Sequence, residues 1–478
     1  MPRYALTALI VACALLMENL DGTVISTSLP AIARDLNESP IALKLALTSY
    51  LIALAVLIPA SGWMADRFGT RIVFRAAIVV FTCGSILCGL SSSLPGFVAA
   101  RIVQGAGGAM MVPVGRLLLL RTVERHNLVR ALAYLTIPAL LGPMLGPPVG
   151  GFITTFFHWR YIFWINVPIG ILGVTLVTLY IENIRSDDTP PMDWTGFVLS
   201  GAGLASLVFG LTVAGRALVP AWVVAALVGG GAALVALYVR HARRVPAPIL
   251  DLSLLEVRTF LVSVTGGSLF RIGVGAVPLL LPLMLQIGFG MTPLQSGLTT
   301  FVAAAGAMAM KATASPILDR FGFKRVLVVN ALIGTCFIGL NAAYSPATPT
   351  ALLLGLLLVG GYFRSLQFTG INAIAYADMG PERMSKAVAF ASVAQQLSLS
   401  VGVAVGAGVV QAMQAHRGGP LELADFHAAF LVVAAFSALS VLVFLQLPAN
   451  AGASLASRPE KGAAARGVAE ARPNSALG

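Results

Sequence analysis

Apolar residues run through this chain in blocks about twenty residues long, separated by short polar stretches and without period-2 alternation. That pattern predicts membrane-spanning helices rather than barrel strands, about fourteen of them. The first six fall near 5–29, 44–64, 73–92, 95–117, 128–152 and 161–181, and two more near 194–214 and 219–239. The last six fall near 260–285, 294–316, 325–343, 350–372, 387–411 and 427–447. The first block, behind Arg3, superficially resembles a signal peptide. No small-residue cleavage site follows and many comparable spans do, so it is read as helix 1.

Composition agrees with the pattern. Of 478 residues 58% are hydrophobic and 10% charged, with a mean hydropathy of +0.88, whereas a soluble domain carries roughly 25% charged residues. The 49 glycines and 27 prolines sit largely inside the apolar blocks, where neighbouring helices satisfy freed backbone groups and small residues permit close packing. A net charge of +12 would suggest nucleic acid in a soluble protein. Here it follows from the positive-inside rule, and no nucleic-acid partner is expected. One side receives Arg67, Arg71, Arg75, Arg121, Arg125, Arg130, Arg240, Arg243, Arg244, Arg320, Lys324 and Arg325. The other receives mainly Arg34, Lys44, Arg160, Arg216 and Arg417. The expectation is a multi-pass protein of the plasma (bacterial inner) membrane with both termini cytoplasmic.

Cys13, Cys83, Cys88 and Cys336 all lie in apolar blocks and show neither disulfide nor metal spacing. The five histidines are scattered, and no nucleophile elbow or phosphate-binding loop is present. No catalytic residue, metal or cofactor is therefore expected, and ATP-driven transport and a membrane enzyme or receptor are disfavoured.

An internal repeat organises the spans. Asp66-Arg67-Phe68-Gly69-Thr70-Arg71 recurs as Asp319-Arg320-Phe321-Gly322-Phe323-Lys324, each time after the second span of a half. Duplicated halves with a site at their interface near the midplane are a transporter signature. The predicted organisation is an N-terminal six-helix bundle (1–185), two inserted helices with a cytoplasmic linker (186–258), a C-terminal six-helix bundle (259–447) and a disordered tail (448–478) rich in Ala, Gly, Ser and charge.

Several motifs carry a family resemblance. Gly62-x-x-x-Asp66-Arg67-x-Gly69-x-Arg71 resembles the loop 2–3 motif of the major facilitator superfamily. That resemblance implies a conformational latch at Gly62, Asp66, Arg67, Gly69 and Arg71, with Asp319 and Arg320 as the second copy. Leu20-Asp21-Gly22-Thr23, running on to Ser28-Leu29-Pro30-Ala31, resembles the helix 1 motif of the fourteen-helix drug:proton antiporters (EmrB/QacA type). Arg101-Ile102-Val103-Gln104-Gly105 resembles the helix 4 motif, and Trp159-Arg160-Tyr161-Ile162-Phe163 with Asn166-Val167-Pro168-Ile169-Gly170 the entry to helix 6. Gly142-Pro143-x-x-Gly146-Pro147-x-x-Gly150-Gly151 resembles the helix 5 motif that marks exporters. Glycines four apart let a neighbouring helix approach, and the prolines bend the helix. The resemblance implies an all-α integral membrane protein of major facilitator fold, two six-helix bundles plus two inserted helices. It also implies proton-coupled export of small molecules by alternating access, with protons and the bilayer as further partners and accessory subunits unknown.

Charges inside spans are the candidate chemistry, because a carboxylate at membrane depth costs about 3 kcal/mol on insertion scales. Asp21 lies about 12 Å from the outer end of helix 1 and Arg101 about 9 Å from the outer start of helix 4, at 1.5 Å per residue. At matching depth each reduces the other's burial cost, either as a proton-releasable switch or as a static ion pair. Glu18, one turn before Asp21, is a second proton site, a cation-binding acid or a hydrogen-bonded structural residue. Candidate cavity residues are Glu18, Gln104, Arg271 and Arg364. Arg271 lies mid-helix, while Arg364 and Lys311 are placed to snorkel or to pair with loop acids such as Asp378. The basic excess among these groups makes export of an organic anion or other metabolite the alternative to cationic drugs. Uptake by symport is disfavoured by the helix 5 motif.

Overall fold

The computed structural model describes residues 3–123, 128–185, 191–214 and 219–452, with only the backbone path along 128–140. The tail reading from 453 onward, and the loop residues Arg125 and Arg216, fall outside these residues, as does the side chain of Arg130.

The described chain is helical: α1 (Arg3–Val24), α2 (Leu29–Asp35), α3 (Lys44–Phe68), α4 (Thr70–Leu90), α5 (Leu94–Thr122), α6 (Leu128–Phe156), α7 (Tyr161–Trp164) and α8 (Asn166–Tyr180). Then come α9 (Trp194–Val213), α10 (Ala221–Ala242), α11 (Arg258–Leu283), α12 (Pro293–Lys311), α13 (Ala314–Phe321), α14 (Phe323–Leu340), α15 (Thr350–Tyr376), α16 (Pro381–Arg417) and α17 (Leu423–Phe444). Among the described residues twelve helices are long and apolar enough to cross a membrane, thirteen if the bent pair α12–α13 is one span. The 29-residue α6 stands at the position of the fifth predicted span.

The helix ends follow local chemistry. Ser93 caps α5, Asp193 caps α9, and Thr292 with Gln295 forms a capping box ahead of Pro293 on α12. Gly69 ends α3 with φ +95° and Gly322 ends α13 with φ +76°. Both occupy the left-handed region that glycine enters without a Cβ penalty, so the two copies of the repeated loop turn in the same way.

One span reading needs correction. The predicted 294–316 span breaks at Ala312–Thr313, where α12 and α13 meet at 59°. The 161–181 reading is met by one apolar span, Tyr161–Tyr180, which α7 and α8 share with Ile165 between them in helical backbone. The 387–411 span is part of a 37-residue helix, α16, which carries polar residues beyond both ends of its apolar block.

The repeat extends from sequence to packing. Within the first half α1 packs on α5, α6 and α8, α3 on α5, and α4 on α5 and α8. In the second half α11 packs on α15, α16 and α17, α12 on α15, and α14 on α15 and α17, the same pattern helix for helix. The halves meet along two seams that are themselves equivalent, α6 against α12 and α16 against α3. The inserted α9 and α10 pack on each other, and α9 lies on the α3–α16 seam.

Candidate functional site

Asp21 sits where α1, α5 and α8 converge, and it is buried. Arg101 on α5 donates from Nη1 to Asp21 Oδ2 at 2.7 Å, with side-chain exposures of 1% and 0%. Gln104, one turn along α5, donates from Nε2 to Asp21 Oδ1 at 2.8 Å and accepts from Arg101 Nη1 at 2.5 Å. Asn166, at the start of α8, donates to the same Oδ1 at 3.0 Å. Ser85 Oγ on α4 accepts from both Gln104 and Asn166. Gly84 makes this closeness possible, since a Cβ there would stand 2.5 Å from the Gln104 backbone. The Arg101 guanidinium lies 4.2 Å from the Tyr50 ring centroid. Three N–H donors thus surround one carboxylate in a dry site, the condition under which a buried ion pair repays its desolvation.

The reading of Gln104 as a cavity residue is corrected by this geometry. It is fully buried, because both ends of its amide are committed to the Asp21 network. Two members of the network, Ser85 and Asn166, were missed. Asn166 stood in the quoted helix 6 motif, but nothing local in the sequence directs it toward Asp21.

Glu18 behaves differently. It is partly buried, and its Oε2 is buried with no hydrogen-bond partner. It lies beside Gly108 together with the Tyr50 hydroxyl, and its electrostatic neighbours are Asp21 and Arg116. Arg116, an exposed residue six positions before the end of α5, was also missed as an in-span cation, although its place inside an apolar block was readable. It interacts electrostatically with Glu18 in its own half and with Tyr376 in the other.

The helix 5 motif divides its contacts between two partners. Gly142, Gly146 and Gly150 face α1, where added Cβ atoms would meet Asn19, Thr23, and Val24 with Thr27. Thr23 Oγ1 donates to Gly142 O at 3.5 Å and Thr27 Oγ1 to Pro147 O at 3.4 Å. Gly151 faces Pro293 and Leu294 of α12, and Gly297 of α12 faces the Pro147 carbonyl. Pro143 and Pro147 lie within this uninterrupted 29-residue helix. Hydrogen bonds tie the halves together nearby: Gln286 Nε2 to Thr27 O at 2.9 Å, and Leu294 N to Thr155 Oγ1 at 3.1 Å. Lys44 Nζ to Gln411 Oε1, at 2.7 Å, does so on the other seam. These contacts lie at the end opposite the arginine-rich loops. Lys44, counted among the charges of the less basic side, is fully buried against Gln411.

At the arginine-rich end, Asp66 pairs with Arg121 of α5, and Arg71 Nη1 donates to Ile181 O at 3.3 Å. Gly62 and Arg67 are exposed, and Gly69 is buried against Asn183. The second copy differs: Asp319 is exposed without an ion pair among the described residues, and Arg320 lies 5.5 Å from the Phe321 ring.

Of the C-terminal cations, Arg271 is buried and donates from Nη2 to Asn372 Oδ1 at 2.9 Å. Lys311 donates to Thr369 at 3.0 Å, and Asp378 accepts from Thr259, so the suggested Lys311–Asp378 pair is absent. Arg364 makes no hydrogen bond or ion pair among the described residues.

Two equivalent helical halves, two seams between them and a charged network inside one half are the build of a membrane transporter. The model of the Major Facilitator Superfamily matches residues 11–239 and 263–476, and the chain belongs to that family. It is 37% identical over 451 residues to MdtD of Klebsiella pneumoniae subsp. pneumoniae, a protein named for multidrug resistance, covering 93% of this chain and 95% of the relative. It is 36% identical over 444 residues to MdtD of Salmonella heidelberg, covering 92% and 94%. Among solved structures it resembles a D-xylose-proton symporter (TM-score 0.66, 18% identity, 93% and 98% covered). It also resembles the POT family transporter PepTSo (TM-score 0.67, 14% identity, 92% and 96% covered).

Proposed function

We propose that this transporter exports small molecules in exchange for protons, by alternating access, from a plasma (inner) membrane in which the arginine-rich face and both termini are cytoplasmic. The observation that carries the reading is the contrast between two acids one helical turn apart. Asp21 has a complete set of donors, whereas Glu18 Oε2 is buried with none. An undonated buried carboxyl oxygen is a place for a proton, and the Asp21–Arg101 pair is the switch that a proton opens.

In this mechanism a proton arriving between the halves reaches Glu18 and then Asp21. Neutral Asp21 no longer balances Arg101, whose guanidinium then turns to another partner. That changes the packing of α1 against α5 and, through the Gly142–Gly151 stretch of α6, the α6–α12 seam. The relatives' naming for multidrug resistance supports export as the direction, and the positive-inside rule supports the orientation.

The test is purified protein in liposomes with an imposed pH gradient and a panel of dyes. Dye-dependent proton movement, lost in Asp21→Asn, is the expected result. Dye transport that ignores the gradient overturns the proton-coupled part.

A further inference from the structure

We infer that the cargo site is an anion site: a small organic carboxylate is held by Arg271, Arg364 and Lys311 of the C-terminal half. The inference rests on the export reading above and names its substrate class.

The first support is a charge imbalance fixed by the chain itself. Between Glu256 and Asp378 the sequence holds a single acid, Asp319, and that residue is exposed at the arginine-rich end. Arg271, Lys311 and Arg364 all fall in this stretch, on three different helices. None of the three has an ion-pair partner among the described residues, and the partners found are neutral: Asn372 for Arg271 and Thr369 for Lys311. Arg271 is buried and Arg364 partly so, while Lys311 is exposed; buried or membrane-depth cations without counter-charges are costly, and they mark ligand or ion pathways.

The second support is the geometry of Arg271. Nη2 is taken by Asn372, and the guanidinium carbon lies 5.3 Å from the Phe368 ring centroid, so one face of the fork is fixed. Nε is buried and has no partner. Gly267, one turn earlier, lets Nη1 and Ile371 pack closely against α11, since a Cβ there would lie 2.9 and 2.8 Å from them. A planar, oriented guanidinium with unspent donors is the group that matches a carboxylate.

The third support is convergence on α15. Arg364, Phe368 and Asn372 are spaced four apart and share one helix face, each about 6 Å along the axis from the next. Arg271 reaches that face from α11, and Lys311 reaches the adjacent Thr369 from α12. The Phe368 ring supplies an apolar wall for the body of the ligand. The opposing cue, Glu18, which favours cations, has Arg116 of α5 among its electrostatic neighbours.

Equilibrium binding of carboxyfluorescein and of the cation rhodamine 6G to the full-length protein in nanodiscs, at one pH throughout, tests the site without any proton gradient. Carboxyfluorescein is expected to bind and to weaken at least tenfold in Arg271→Gln, with rhodamine binding unchanged. Lys311→Gln alters an exposed residue and so avoids a folding defect. It should weaken the anion in the same direction, and Arg271→Lys should restore part of it. Rhodamine bound in preference to carboxyfluorescein, or carboxyfluorescein bound equally by wild type and both glutamine variants, overturns the anion site and leaves export standing. Anion binding that obeys these variants, with no proton-driven movement of either dye in liposomes, supports the site while removing the exchange reading.

Discussion

Asn166 donates from Nδ2 to Asp21 Oδ1 at 3.0 Å, across 145 residues of chain. The contact sets the first residue of α8 beside Ser85 of α4, whose Oγ accepts from the same amide at 3.1 Å. Replacing Asn166 with Leu removes a donor from a buried carboxylate. It should cost about 1–3 kcal/mol of stability and slow exchange, as measured by thermal unfolding and dye flux on one preparation. An unchanged unfolding midpoint would mean that Gln104 and Arg101 suffice to hold Asp21.

Arg101→Ala leaves Asp21 buried without its cation. The expected loss is about 3–5 kcal/mol, the usual result of breaking a buried pair from one side. The double variant Asp21→Asn, Arg101→Gln should recover much of that stability but none of the proton coupling. Retained coupling in the double variant would assign the proton to Glu18 alone.

Gly297 on α12 faces the Pro147 carbonyl of α6 more closely than any Cβ allows. Gly297→Val should therefore push the α6–α12 seam apart, at a cost of about 1–3 kcal/mol from overpacking. The readout is increased thiol labelling of a cysteine placed at Leu294, with a larger proton leak in empty vesicles. A sealed seam in this variant would show that the helices slide rather than separate.

Asp193 lies outside the spans at the N-terminus of α9. Its partial burial raises the carboxyl, but hydrogen bonds from the Gly196 N–H and His241 outweigh that and hold it below its ordinary value. Because the folded value is depressed, the associated stability is present above the ordinary value of 3.8 and is lost as pH falls through the folded value. Asp193→Ala should remove both that acid dependence and the α9 cap, about 1 kcal/mol. Unfolding midpoints measured between pH 3 and pH 7, values chosen to bracket the ordinary carboxylate range, separate the two contributions.

Asp66 pairs with Arg121, whereas its repeat counterpart Asp319 has no ion pair among the described residues. Asp66→Asn should slow transport and cost less than about 1 kcal/mol, since both partners are partly exposed. Asp319→Asn should leave stability unchanged. Equal losses in the two variants would indicate that the second copy gains a partner in another state of the cycle.

The sequence by itself determined the spans, the duplicated loop, the family and the depth at which Asp21 and Arg101 stand. Each of these follows from hydropathy, from spacing along one helix or from a contiguous motif, and so is a local property of the chain. Only the tertiary structure decided which polar groups close around Asp21. Ser85 and Asn166 come from α4 and α8, and the close approach at Gly84 brings α4 against Gln104. The same holds for Gln104, read as facing the cargo but turned by two hydrogen bonds into the network. It holds too for Lys44, read only as a charge of the less basic side but carried by the α3–α16 seam into the protein. A side chain's charge is written in the chain, but its partner is chosen by helices far apart in sequence. For a buried polar group, the partner fixes the energy.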